Sequence, residues 1–156
     1  SWQVTPDQIM NIEDLVGHAQ QSKSPLAVIT GGEPLLHDLT NLTSQLKEAG
    51  FRIHIETSGA HAITGQIDWV CLSPKKFKHP LEASYQQAHE LKVIIYNKKD
   101  FDWAEQEAAK VTPNCQLLLQ PEWSKREEMT PLIVEYVKQN PQWQISLQTH
   151  HYLSVP

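Results

Sequence analysis

Residues 26–34 read LAVITGGEP, and this stretch predicts where the chain places its functional site. The apolar run Leu26–Ile29 is typical of a strand that is buried on both faces. Thr30 ends the run and is followed by two glycines, Glu33 and Pro34. Glycines leave backbone N–H and C=O groups open to a ligand, and proline stiffens the turn that carries the glutamate. The stretch therefore predicts a ligand-binding loop at the carboxyl end of a strand.

Composition limits the classes of protein to consider. The chain has 156 residues, of which 40% are hydrophobic and 20% charged, and its formal net charge is −5. This predicts one soluble domain, and the acidic balance argues against nucleic acid as the main ligand. No apolar run approaches the ~20 residues of a membrane span, and we expect no signal peptide. Cys71 and Cys115 are far apart without a paired motif, so we expect a reducing, cytoplasmic setting.

Apolar runs alternate with helical stripes along the whole chain. The predicted strands are 26–29, 51–56, 69–72, 91–96, 116–119 and 144–148. The predicted helices are 5–21, 38–49, 81–89, 100–111 and 130–140. Residues 57–68 hold at most a short helical turn. This alternation predicts an α/β fold with a parallel sheet and right-handed crossovers. The pattern alone does not distinguish an open doubly wound sheet from an incomplete barrel.

Periodicity and capping residues refine the helix predictions. In the helix over 38–49, Leu42 and Leu46 should face the sheet, Thr43 should lie on the opposite face, and Gly50 should end the helix. Thr5 should cap the first helix, because Pro6 and Gln8 complete a capping box.

The helix over 130–140 should begin late. Ser124 to Glu127 imitates a capping box, but Pro131 cannot sit cheaply inside a helix. We therefore predict Thr130 as the N-cap, with Pro131 at the first helical position.

Polar residues follow five of the predicted strands. They are Thr30 to Glu33, Glu56 to Ser58, Ser73 to Lys75, Gln120, and Thr149 with His150. Because parallel strands end at one edge of a sheet, these groups should form a single site. His150 and His151 suggest a metal pair, but neighbouring strand residues point to opposite faces, so we expect no shared ion.

Six short motifs carry a family resemblance. They are GGEP at 31–34, ETSG at 56–59, SPK at 73–75, ELKV at 90–93, LQP at 119–121 and LQTHHY at 147–152. In this order they make the chain, from about Leu26 to its end, similar to the 7-carboxy-7-deazaguanine synthases, a family of radical S-adenosylmethionine (SAM) enzymes. The resemblance implies a single radical SAM core domain over 1–156, folded as an incomplete parallel (β/α) barrel, and a homodimer.

The resemblance also implies a reaction. The family is of the carbon–nitrogen lyase type and converts 6-carboxy-5,6,7,8-tetrahydropterin into 7-carboxy-7-deazaguanine, a 7-deazapurine precursor, by a ring contraction that expels ammonia. A [4Fe–4S] cluster reductively cleaves SAM, the resulting radical abstracts a substrate hydrogen, and Mg²⁺ assists. Neither nucleic acid nor a membrane is a partner.

Site residues follow from the same resemblance. The residues implied to bind SAM are Gly31, Gly32, Glu33, Pro34, Glu56, Ser58, Ser73, Pro74, Lys75 and Gln120. Glu33 would accept from the SAM ammonium, Lys75 would pair with the carboxylate, and Gln120 would contact the adenosine part. Thr30 and His150 would contact the pterin. Lys92 and Thr57 stay open between a structural role and a ligand contact.

One departure from the family pattern is large. A [4Fe–4S] cluster of this type needs three clustered thiolates, and Cys71 and Cys115 are predicted to be buried and inert. We therefore expect the family's first strand and cluster loop to precede Ser1, and the 156-residue chain alone to be inactive. The alternative is a non-catalytic domain that binds SAM or a pterin, or serves dimerisation.

Overall fold

The computed structural model describes residues 9–153. The strands are β1 (Leu26–Ile29), β2 (Arg52–Thr57), β3 (Trp69–Leu72), β4 (Glu90–Ile95), β5 (Gln116–Pro121) and β6 (Trp143–Ile145). The α-helices are α1 (Ile12–Gln21), α2 (Thr40–Glu48), α3 (Glu82–Gln87), α4 (Lys99–Ala108), α5 (Arg126–Gln139) and α6 (Thr149–Leu153). The predicted continuous helix over 5–21 is wrong, because residues 9–11 are not helical and α1 begins at Ile12 with Asn11 as its N-cap, whose side chain accepts from the N–H of Asp14 (2.8 Å). Thr5 itself lies outside the described residues. Within them, no helix combines the length and apolar character needed to cross a bilayer.

The strand order identifies the architecture. All six strands are parallel and follow one another in the sheet in chain order. A doubly wound sheet changes its direction of growth part-way, and this sheet does not. Because parallel crossovers are right-handed, growth in one direction leaves all the crossover helices on one face. The predicted α/β fold is confirmed, and the order favours the incomplete barrel over the doubly wound sheet.

The sheet has an apolar face and a polar face. Along β2, Ile53 and Ile55 are fully buried on the helix side, whereas His54 and Glu56 on the other side are partly exposed. Fully buried side chains from β4, β5 and α5 form the centre of the largest apolar cluster: Leu91, Val93, Ile95, Leu119, Met129 and Ile133. The polar face is therefore the inside of the incomplete barrel, where a site can be built.

β1 is an edge strand, and the prediction that it is buried on both faces is wrong. Leu26 and Val28 are 38% and 51% exposed, while Ala27 and Ile29 pack towards the helices. Among the described residues β1 pairs only with β2, so its other edge has unpaired N–H and C=O groups. An apolar run indicates burial but does not say whether a second layer covers the strand.

The helix α2 has the predicted phase, but Thr43 is not on an open face. Leu46 is buried, and Gly50 follows the helix with a φ of +87°, the left-handed conformation expected after a helix end. Thr43 is also fully buried: its hydroxyl donates to the carbonyl oxygen of Leu39 (2.8 Å) and accepts from the N–H of Gln66 (2.9 Å). The long connection from β2 to β3 covers this side of α2, which the periodicity did not predict.

The helix α5 starts before the predicted cap at Thr130. It begins at Arg126, directly after the 3₁₀ turn Trp123–Lys125, and Pro131 lies inside it. Proline removes one backbone hydrogen bond near the start of this helix. Met129 and Ile133 are fully buried on either side of the proline, and their burial offsets that loss.

Candidate functional site

Strand ends meet around two adjoining cavities at the carboxyl edge of the sheet. The larger, of about 700 Å³, is lined by Thr30, Gly31, Gly32, Glu56, Glu90, Lys92, Gln120, Ser146, Leu147, Gln148 and His150. The smaller, of about 250 Å³, is lined by Glu56, Ser73, Lys75, Lys92, Ile94, Gln120, Glu122, Trp123 and Gln148. The four shared residues, Glu56, Lys92, Gln120 and Gln148, make the two cavities one polar site.

The predicted site residues divide into two groups. Those that line the cavities are Thr30, Gly31, Gly32, Glu56, Ser73, Lys75, Gln120 and His150. Glu33, Pro34 and Ser58 line neither cavity, and Pro74 lines a neighbouring groove with Phe77 and Trp103. Eight of the twelve predicted site residues therefore line the cavities and make up half of the lining, and SAM contacts by either group stay a prediction.

Glu33 connects the loop after β1 to the end of β2. One carboxylate oxygen, Oε1, accepts from the N–H of Leu35 (3.2 Å) and the hydroxyl of Thr57 (2.6 Å). The other, Oε2, accepts from the N–H (2.9 Å) and the hydroxyl of Ser58. A carboxylate has about four acceptor positions, so the protein itself occupies all of them. Gly31, with a φ of +115°, makes the turn that brings Glu33 to β2.

The electrostatics of Glu33 agree with this role. Burial alone would raise the pKa of Glu33, but the hydrogen bonds from Ser58, Thr57 and Leu35 outweigh it and hold the pKa below its ordinary value. Glu33 is therefore ionised at neutral pH. In this arrangement, an ammonium group would have to displace a donor such as the Ser58 hydroxyl to bind it directly.

Lys92 and Glu56 form an ion pair inside the site, with 2.8 Å between the ammonium nitrogen and Oε2. Lys92 projects from β4 and is almost buried, whereas the Glu56 side chain is 44% exposed. Burial lowers the pKa of Lys92, but neighbouring negative charge, including the carboxylates of Glu56 and Glu90, raises it above its ordinary value. The structure thus assigns Lys92 an electrostatic role in the site, which the sequence left open.

Lys75 is the second ammonium group of the site. It lines the smaller cavity beside Ser73, 3.3 Å from the Ser73 hydroxyl. Among the residues that the structure describes, no carboxylate forms an ion pair with Lys75. Burial lowers the pKa of Lys75, and the positive charge of Lys92 lowers it further. A partly buried cation that has no ion-pair partner within residues 9–153 favours an anionic ligand group, such as a carboxylate.

The far wall of the site comes from the segment after β6. Gln120 on β5 accepts from the hydroxyl of Ser146 (3.0 Å), which fixes this segment to the sheet. The buried Oε1 of Gln148 has no hydrogen-bond partner among the residues that the structure describes. A buried amide oxygen without a donor is costly, so it favours a ligand that donates a hydrogen bond at this position.

His150 lies on a helix rather than after a strand. β6 ends at Ile145, and α6 carries His150 and His151, whose ring centroids are 4.2 Å apart. The sixth predicted strand is present but ends at Ile145 rather than Gln148, and the argument that the two rings point to opposite faces is therefore wrong. No group of three or more metal-binding side chains occurs within residues 9–153. His150 lines the larger cavity, and its contact with a substrate stays a prediction.

The two cysteines do not fit an iron–sulfur cluster. Cys71 lies within β3 and Cys115 directly before β5, and both are buried free thiols. Burial raises the pKa of Cys115 to about 11 and that of Cys71 further. Such thiols stay protonated at neutral pH, and two are fewer than a cluster of this type needs. Groups whose chemistry would suit SAM, in contrast, are present: Ser73 has a hydroxyl group, Lys75 an ammonium group, and Gly31 and Gly32 have unshielded backbone groups.

Sequence reasoning assigned no role to several lining residues. They are Glu90, Ser146, Leu147, Gln148, Glu122 and Trp123. Glu90 and Gln148 lie within the ELKV and LQTHHY motifs, and Glu122 directly follows LQP. For Glu90, Gln148 and Glu122, proximity to these motifs was the available signal.

A third cavity, of about 450 Å³, lies at the opposite end of the sheet. Its lining includes Trp69, His89 and Asn114 and contains no lysine, arginine or carboxylate side chain. It therefore lacks the charged groups that distinguish the site at the carboxyl edge.

Comparison with known proteins gives relatives of one kind. No protein-family model matches the chain. It is 62% identical over 129 residues to the 7-carboxy-7-deazaguanine synthase of Flavobacterium psychrophilum, covering 83% of this chain and 61% of that protein. It is 49% identical over 155 residues to the 7-carboxy-7-deazaguanine synthase of Synechocystis, covering 99% of this chain and 74% of that protein.

Comparison of the fold with solved structures agrees with the sequence comparison. The crystal structure of QueE from Escherichia coli matches with a TM-score of 0.78 at 32% sequence identity, covering 89% of this chain and 64% of that one. The resemblance inferred from six motifs is thus confirmed over nearly the whole of the chain. On the strength of the 49% identity across 74% of the Synechocystis relative, the chain belongs to the 7-carboxy-7-deazaguanine synthase family.

Proposed function

We propose that this chain binds SAM and a reduced pterin for a radical SAM enzyme that converts 6-carboxy-5,6,7,8-tetrahydropterin into 7-carboxy-7-deazaguanine and ammonia. The observation that supports it best is the unpaired, partly buried Lys75 next to the Lys92–Glu56 ion pair, at the strand ends of the family fold. Because the chain spans only 61% of the Flavobacterium relative, the activity of the whole protein belongs to the proposal.

Each lining residue has a role suited to its chemistry. Lys75 and the Ser73 hydroxyl bind the SAM carboxylate, because they supply a cation and a donor at one end of the site. The carbonyl groups of Gly31 and Gly32 accept from the SAM ammonium, and Glu56 adds negative charge near it. Bound SAM supplies the adenosyl group of the proposed reaction.

The larger cavity holds the pterin. Thr30 and His150 lie on opposite sides of it and offer hydrogen-bonding groups, while Gln120 is placed for the adenosine part of SAM. A pterin ring carries several N–H donors, and the unpartnered Oε1 of Gln148 is an acceptor at the same wall. The Mg²⁺ ion, the homodimer and a [4Fe–4S] cluster held by thiolates from outside these 156 residues stay predictions.

Calorimetric titration of the chain with SAM tests the binding part. Lys75→Gln should weaken SAM binding by roughly 10- to 100-fold, the equivalent of one hydrogen bond to a charged group at about 1.5–3 kcal/mol. Lys138→Gln, at an exposed lysine on α5, is the matched control and should leave the affinity unchanged. Equal affinities for wild type and Lys75→Gln would exclude the assigned carboxylate site.

The pH dependence gives a second readout of the same contact. Binding needs protonated Lys75, and the pKa of Lys75 lies below its ordinary value. SAM affinity should therefore fall as the pH rises through this lowered pKa, and Lys75→Gln should abolish that part of the pH dependence.

Anaerobic turnover tests the reaction itself. A cluster-containing form of the protein should produce 7-carboxy-7-deazaguanine and ammonia in equal amounts from the carboxytetrahydropterin, as measured by mass spectrometry and an ammonia assay. SAM binding without this product would overturn the proposed reaction and favour the non-catalytic alternative.

A further inference from the structure

The segment after β6 forms a wall of the larger cavity that does not belong to the sheet. Four of its residues line the cavity together with the loop after β1: Ser146, Leu147, Gln148 and His150. β1 and β6 are the two outer strands of the sheet and do not pair with each other. The segment therefore lies on the side where the incomplete barrel is open, and its position sets the width of the cavity.

Burial does not hold this wall in place. α6 has five residues, and none of its side chains is buried. β6, which precedes it, has only three residues. A short exposed helix without a buried face gains little from packing, so its position must depend on a few specific contacts.

Those contacts converge on Trp123. The His151 ring stacks on the Trp123 ring, with centroids 4.2 Å apart and planes inclined by 22°, and the Tyr152 ring meets Trp123 edge-on at 5.2 Å. The Arg126 guanidinium lies 4.3 Å from the centroid of the same ring. Stacked and edge-on aromatic pairs and a cation over an indole ring are all attractive arrangements.

Trp123 itself is held firmly. It starts the 3₁₀ turn that follows β5, and Glu122 caps this turn by accepting from the N–H of Ser124 (2.9 Å). Arg126 donates from Nη1 to the Trp123 carbonyl oxygen (2.8 Å), so the guanidinium stabilises both the ring and the backbone. The aromatic contact therefore connects α6, a short exposed helix, to a well-held residue at the edge of the sheet.

We propose that Trp123 is a positioning residue that holds α6, through His151, as a movable wall over the cavity. Trp123, Arg126, His151 and Tyr152 together form what we term the Trp123 clasp. When the rings separate, residues 147–150 swing away from the loop after β1 while Ser146 stays hydrogen-bonded to Gln120, and the cavity opens to ligands. The identity of those ligands rests on the proposed function, whereas the clasp does not.

Chemical access to Lys92 tests the clasp without any ligand. Lys92 is nearly buried and lines both cavities, so its acetylation by acetic anhydride, measured by peptide mass spectrometry, reports how often the wall opens. The rate is expressed relative to that of the exposed Lys138 in the same sample. His151→Ala should raise this ratio several-fold, since it removes the stacked ring.

Two variants separate the clasp from a general loss of structure. His151→Phe keeps an aromatic ring on Trp123 and should restore the wild-type ratio. His18→Ala removes an exposed histidine from α1 and should leave the ratio unchanged. A His151→Ala ratio equal to that of wild type, or a His151→Phe ratio as high as that of His151→Ala, would overturn the proposal.

Proton NMR gives an independent signature. The ring protons of His151, identified by the signal that His151→Ala removes, should be shifted upfield by the Trp123 ring current. Trp123→Leu should return them to the positions of a free histidine, and their failure to move would contradict the stacking. If the clasp passes both tests but SAM does not bind, the proposed function fails and the clasp stands.

Discussion

Ser58 donates to the Glu33 carboxylate twice, once from its backbone N–H and once from its hydroxyl group. Thr57 and Leu35 donate to the other oxygen of the same carboxylate. The glutamate of the GGEP motif is therefore first a structural link between two strand ends. Any contact between Glu33 and a ligand would be additional to that structural role.

Glu33→Gln should consequently destabilise the fold at neutral pH. An amide group offers one acceptor oxygen and two unwanted donors, so at least one of the four hydrogen bonds is lost, at a cost of about 1–3 kcal/mol. Chemical denaturation at pH 7 measures this loss. A variant with unchanged stability would show that the four hydrogen bonds contribute little.

The effect of acid checks the charge of Glu33. Because its pKa is lowered in the folded state, its contribution is complete above the unfolded value of 4.5 and is lost as the pH falls through the folded pKa. The stability difference between wild type and Glu33→Gln should therefore shrink in that range. A difference that stays constant there would contradict a lowered pKa.

The Lys92–Glu56 pair should respond differently to removal of each partner. Glu56→Gln leaves the Lys92 ammonium nearly buried without its counter-ion and should lower the melting temperature. Lys92→Met removes the buried charge and keeps the length of the side chain, so it should leave the melting temperature unchanged or raise it. The opposite order of melting temperatures would show that the pair stabilises the fold.

The contribution of the buried Thr43 hydroxyl to the stability of the fold can be compared with that of the buried Leu46 side chain on the same helix. Leu46→Ala should cost about 2–5 kcal/mol, as for other buried leucines. Thr43→Ala should cost about 1–2 kcal/mol, because the Gln66 N–H loses its acceptor, and Thr43→Ser should recover most of this. Denaturation curves give the three values, and a neutral Thr43→Ala would revive the open-face prediction.

Cluster assembly tests the account of the two cysteines. The 156-residue chain, reconstituted anaerobically with iron and sulfide, should remain colourless and should form no 5′-deoxyadenosine from SAM. Cys71 and Cys115 lie in different strand regions, are buried and stay protonated. Stoichiometric 5′-deoxyadenosine from this chain would refute that account.

Local sequence signals predicted most of the elements. Trp69–Leu72 is a strand with the bounds predicted from its apolar run, and Gly50 ends α2 as its position indicates. These features depend on neighbouring residues only. The site was predictable for a related reason, since parallel strands bring their carboxyl ends together whatever else surrounds them.

The errors have a shared cause: each depends on whether another part of the chain packs over the residue in question. Thr43 is buried by a connection 23 residues further along the chain, and Val28 is exposed because no element within residues 9–153 covers its side of β1. Pro131 lies inside α5 because burial on both sides of it outweighs one hydrogen bond. His150 lies on a helix because β6 stops after three residues. Helix and strand propensities describe local conformation only and carry no information about these tertiary contacts.

The order of the strands has a consequence for how the chain acquires its structure. Leu26 pairs with Arg52 and Leu117 with Trp143, so each strand pairs with the one that was synthesised just before it. During translation, every new strand can therefore dock on a sheet that already exists, without waiting for a distant segment. The residues within 146–150 that line the cavity are synthesised after all six strands, so this wall forms only when the sheet is already in place.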